Sequence, residues 1–141
     1  MRAAPVAAAL ALAVALAGCS ASPLVAHRRG GTAADPAALL KAWSTPATQP
    51  GWLPEDATRI RWVASTRGGA DRAAAVLEAR SAGPLPDSCT ALPDGRGAAI
   101  GAAWAPQRVP AEVRRCGNWA VTAIDGGYYG WTPVDAAAAT G

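Results

Sequence analysis

The chain has 141 residues, 51% of them hydrophobic and 16% charged, with a formal net charge of +3. That length accommodates one small domain and excludes two large ones. So mild a charge, with no concentrated basic stripe, excludes a dedicated nucleic-acid binder. Six Trp, two Tyr and no Phe mean that any core must be built largely on tryptophan.

Met1 and Arg2 open a positive n-region, and Ala3 to Ala17 follow as an apolar run. A helix rises about 1.5 Å per residue, so this run is too short for a ~30 Å hydrocarbon core, and Pro5 weakens its start. It reads as a signal-peptide h-region over residues 1–18. An ordinary secretory cleavage and an uncleaved anchor are the alternatives. Leu16-Ala17-Gly18-Cys19, directly after that run, resembles the lipobox of bacterial lipoproteins. The resemblance implies diacylglycerol on the thiol of Cys19 and cleavage before it. One acyl chain holds marginally and two hold stably, at about 0.8 kcal/mol per buried methylene. The expected localisation is therefore the cell membrane, lipid-anchored on its extracytoplasmic face.

Residues 19–34 contain small residues, a proline and Gly30-Gly31 without apolar period, and read as a flexible tether. His27-Arg28-Arg29 within it reads either as attraction to anionic head groups or as a solvated stretch. Asp35 as N-cap and Pro36 at the first position predict a short helix to about Trp43, opening a globular domain over residues 35–135. Residues 136–141 are left as a C-terminal tail.

The prolines and glycine between Ser44 and Asp56 predict loop. Thr58 to Thr66 alternates as a strand, with Ile60, Trp62 and Ala64 on one face. Arg72 to Arg80 has helical propensity, yet its place after a strand and a Gly-Gly turn favours a hairpin partner, and we assign it as strand. Ala98 to Trp104 reads as a short strand, and Pro110 to Arg115 as a helical turn or extended segment. Trp119 to Ile124 and Tyr128 to Pro133 form the clearest hairpin, through Asp125-Gly126-Gly127. Its period places Trp119, Val121 and Tyr128 on one face and Ala120, Tyr129 and Trp131 on the other. The sum is a small α+β domain: an antiparallel sheet of about four to five short strands, one N-terminal helix and a single disulfide.

With Cys19 lipidated, Cys89 and Cys116 remain, and an even pair outside the cytosol most simply forms that disulfide. A redox pair would be closely spaced, and a metal site would need further ligands. His27 is the sole histidine and lies in the tether, so a Ser-His-Asp or Cys-His arrangement cannot be built in the domain. The expectation is no metal, no cofactor and no enzyme. A small hydrolase working through two of the carboxylates between Glu55 and Asp135 is the catalytic alternative. Gly95 to Gly101 (GRGAAIG) has one residue too many for a dinucleotide loop.

Cys116-Gly-Asn-Trp119-Ala-Val121 and Gly127-Tyr-Tyr-Gly-Trp131-Thr-Pro133, with Trp52-Leu-Pro54-Glu-Asp56 and Pro84-Leu-Pro86-Asp-Ser-Cys89, resemble small uncharacterised lipoproteins of high-GC Gram-positive bacteria. The resemblance supports the Cys89–Cys116 pairing and implies no activity. Trp119-Ala-Val121 with Gly130-Trp131 is also similar to the last hairpin of bacterial SH3-type wall-binding modules. The leading expectation is a non-catalytic binding or envelope-associated module. Its candidate patch is an exposed pair, Tyr129 and Trp131, with Trp52 and Trp104 on loops. Tryptophan offers large contact area at small entropic cost, suited to a cell-wall polymer or an envelope protein.

Overall fold

A computed structural model describes residues 27–93, 97–108 and 112–135. Cys19, the segment 1–18 and the tail 136–141 lie outside the described residues. The strands are β1 (Arg28–Ala33), β2 (Thr58–Ser65), β3 (Ala75–Arg80), β4 (Thr90–Ala91), β5 (Arg114–Cys116), β6 (Trp119–Ile124) and β7 (Gly127–Thr132). They make one sheet in the order β1-β2-β3-β7-β6-β5-β4, and each neighbouring pair is antiparallel. One helix, α1 (Pro36–Ala42), completes a sheet-rich α+β fold.

The helix starts as its residues dictate. Asp35 is extended, and its carboxylate accepts from the Ala38 amide at 2.8 Å, while Pro36 occupies a position whose N–H would be unpaired anyway. Leu39 is its buried anchor. In β2 the expected alternation holds, with Ile60, Trp62 and Ala64 buried and Arg59, Arg61 and Val63 more exposed. A bulge between Thr58 and Arg61 puts Arg59 at φ +48°. The strand assignment of the 72–80 stretch is borne out from Ala75 onward. The last hairpin pairs Ile124 with Gly127 across a two-residue Asp125-Gly126 turn, with Gly126 at φ +74°. At the opposite end from the β2–β3 turn, Asp56 accepts from Ser81 Oγ and from the Ala82 and Gly83 amides. Those bonds, the hydroxyl's first, hold its carboxyl below the usual carboxylate range.

Three expectations are corrected. The tether does not run to residue 34, because Arg28–Ala33 forms the edge strand β1 paired with β2 from Ser65 to Ile60. This strand carries no apolar alternation, since nearly all of it is exposed; it is held by backbone pairing. Its glycines permit the approach: a Cβ on Gly30 would meet the Trp62 carbonyl oxygen at 2.8 Å. Second, Ala98 to Trp104 is not a strand. Ala98, Ile100, Ala102 and Trp104 are half-buried while Ala99, Gly101 and Ala103 are exposed. The period of two therefore reports an extended segment with one side on the sheet face, where no strand edge is free to pair. Third, the sheet has seven strands rather than four or five, because the edge strands β1 and β4 carry almost no buried side chains.

Both sheet faces are covered. On the first, α1 and the loop after it bring Leu39, Trp43, Ala47 and Trp52 onto Ile60, Trp62, Leu77, Trp119 and Val121. Trp43 lies 5.1 Å from Trp62 and Trp52 lies 5.9 Å from Trp119, centroid to centroid. On the second, Val76, Val113, Ala120, Tyr129, Trp131 and Val134 form a smaller core, covered by Ala98 to Ala105. The Cys89–Cys116 disulfide ties the loop before β4 to the end of β5, with Cα atoms 4.4 Å apart.

Candidate functional site

The four candidate aromatics divide between the faces. Trp52 is buried in the tryptophan core of the first face, beside Trp119 and Tyr128. It also lines a hollow of about 240 Å³ with Trp119, Asn118 and both disulfide cysteines. Tyr129 and Trp131 lie on the second face, as the hairpin period required. They are not the exposed patch expected from the sequence: Tyr129 is 5% and Trp131 1% exposed. Their strand, β7, is flanked by β3 and β6, and the segment from Gly97 to Arg108 closes over it. Trp104 comes from that segment, remains half-buried, and meets Tyr129 edge-on at 6.4 Å.

Between the segment and β7 lies a cavity of about 390 Å³. Tyr129 and Trp131 form its aromatic wall, Ile100, Ala102 and Ala105 its apolar cover, and Gln107 and Arg108 contribute exposed polar groups. The indole Nε1 of Trp131 is buried and, like those of Trp52 and Trp62 in the first core, has no hydrogen-bond partner among the described residues. Such a buried donor without a partner costs about 1–3 kcal/mol, so it is a feature to account for. Burial first, and the carboxylate of Glu78 second, push the Tyr129 phenol up to about 12. The phenol therefore stays neutral, an O–H that can donate to a ligand's oxygen.

A charged row supports this wall from across the sheet. Arg61, Glu78 and Tyr129 are direct partners on β2, β3 and β7. Arg61 Nη2 donates to Glu78 Oε1 at 2.9 Å, and its guanidinium sits 4.9 Å from the centroid of the Trp104 ring. The cation thus holds Trp104 down by cation–π attraction while the pair neutralises Glu78. Thr122, opposite Tyr129 on β6, donates its hydroxyl to the Glu112 carbonyl at 2.7 Å. Sequence reasoning singled out neither Arg61 nor Glu78. Their shared face was implicit in the strand period, but the pairing of β2 with β3 and β7 was needed to bring them beside Tyr129.

A second cleft, of about 550 Å³, lies between the Pro84–Pro86 loop and β5–β6 and includes Asp87, Glu112 and Arg114. Two carboxylates in one cleft are what a hydrolase of that kind requires. Both are exposed here, whereas a general acid in such a site is ordinarily desolvated by burial. Among the described residues no cluster of three or more His, Cys, Asp or Glu side chains is placed to hold a metal ion, and no helix is long and apolar enough to cross a membrane. Compared with known proteins, the chain matches no family model, no curated relative and no solved structure.

Proposed function

We propose that this protein is a lipid-anchored, extracytoplasmic binding module without catalytic activity, and that its ligand lodges between β7 and the 97–108 segment. The anchoring part rests on the lipobox resemblance at Leu16 to Cys19. The binding part is carried by one observation: Tyr129 and Trp131 form an aromatic wall of the same cavity of about 390 Å³, and the Trp131 N–H buried behind that wall has no partner among the described residues. That volume lies within the range of small-ligand sites, which combine apolar walls with a few polar groups. Neutral donors on an aromatic wall suit a ligand rich in uncharged oxygen acceptors, such as a short saccharide of the cell envelope. The Trp131 N–H is shielded from solvent, so its use requires the segment to lift against the Trp104 contacts with Tyr129 and Arg61.

The test is titration of the full protein with soluble cell-wall saccharides, read by calorimetry. Binding should weaken by about tenfold or more in Trp131→Phe, the loss of one hydrogen bond in a dry site, and in Tyr129→Phe. Urea melts of both variants establish that they remain folded. No binding by the wild type, or equal binding by folded variants, would remove this reading.

A further inference from the structure

The fold brings three arginines to one end of the sheet. Arg28 opens β1 opposite Ser65, and the Thr66 amide donates to the His27 carbonyl at 2.9 Å, which places the β2–β3 turn beside the point where the chain enters the domain. That turn carries Arg67 and Arg72, both exposed, with Asp71 as its one acid. Arg115 lies near the same end and is neutralised by Asp135 at 3.0 Å. The opposite end carries Arg59 and Arg80 alongside four acids, Asp35, Glu55, Asp56 and Asp125, and Arg80 Nη1 donates there to the Asp125 backbone carbonyl at 2.7 Å. Among the described residues the domain is thus a dipole along the strands, positive where the chain enters and negative at the far end.

We propose that the positive end is a membrane-facing surface, held by Arg28, Arg67 and Arg72 against anionic lipid head groups. The inference rests on the anchored reading of Cys19 and deepens it. From Cys19 to Arg28 the chain reaches at most roughly 30 Å even when fully extended, less than the ~34 Å breadth of a domain with a radius of gyration near 13 Å. An anchored domain is therefore never farther from the bilayer than its own width, and the end that is tethered is the basic one. Within about 8–10 Å, where salt does not screen the field, the head groups attract this end and repel the acidic one. Arg28 also donates Nη1 to the Gly101 carbonyl at 3.3 Å, so this surface touches the segment that covers the cavity.

The experiment places the full, acylated protein in phosphatidylcholine vesicles with or without phosphatidylglycerol, and labels arginines with phenylglyoxal. Mass spectrometry reads each site. Labelling of Arg67 and Arg72 should slow about fivefold or more when phosphatidylglycerol is present, the equivalent of about 1 kcal/mol per basic residue. Arg59 and Arg114 should label equally on both membranes, and high salt should abolish the protection. Equal labelling of Arg67 and Arg72 on an acylated chain would overturn the orientation alone. The mass of the Cys19 peptide reports the anchor separately: an unmodified thiol would overturn the anchored reading instead.

Discussion

Gly130 lies in the middle of β7, where glycine is a poor strand residue, and the tryptophan core accounts for it. A Cβ at this position would stand 2.5 Å from Cζ2 of Trp52 and 3.3 Å from Cε3 of Trp119. Carbon atoms settle at about 3.5–4.0 Å, so the methyl of Gly130→Ala drives the Trp52 ring back by about 1 Å. Trp52 is only 3% exposed and packed on Trp119 and Tyr128, which leaves it little room to move. Overpacking of this kind costs about 1–3 kcal/mol, while the removal of glycine's chain entropy returns about 0.5–1 kcal/mol. The net loss is about 1–2 kcal/mol, or roughly 5–15 °C in Tm for a domain of this size. Urea melts followed by tryptophan fluorescence would read it. In a Trp52→Leu background the methyl has space, so the same substitution should become neutral or stabilising, a coupling of about 1–3 kcal/mol in the cycle. An equal penalty in both backgrounds would refute the steric account, as would a wild-type chain stabilised by alanine.

Replacing Cys89 and Cys116 together by alanine should lower stability by about 3–4 kcal/mol, because the disulfide closes a loop between residues 27 apart. An unchanged urea midpoint, or two free thiols in native material, would contradict that expectation. The Tyr129 phenol has a folded pKa raised to about 12, by burial and then by Glu78, against about 10 in the unfolded chain. Its contribution to stability is therefore intact below pH ~10 and is lost as pH rises through about 12. In a Tyr128→Phe chain, phenolate absorbance at about 295 nm should appear late, and Glu78→Gln should advance it; titration at the ordinary value in the folded protein would show the ring to be solvated.

Local chemistry alone determined several parts of this molecule. Asp35-Pro36 sets the helix start, the alternation of Ile60, Trp62 and Ala64 sets the buried side of β2, and Asp125-Gly126-Gly127 sets the place of the hairpin turn, whose central pair the β6–β7 register then decides. The same period divided Trp119 and Tyr128 from Tyr129 and Trp131 before any partner strand was known, since residues two apart share a face. What covers those faces was decided by tertiary structure. Arg28–Ala33 is a strand only because β2 offers a free edge, and a backbone partner leaves no mark on side-chain pattern. Ala98 to Trp104 has the pattern of a strand but lies flat on the sheet, because alternation records which side is buried and is blind to whether hydrogen bonds are available. That placement turns Tyr129 and Trp131 from a surface patch into the wall of a cavity.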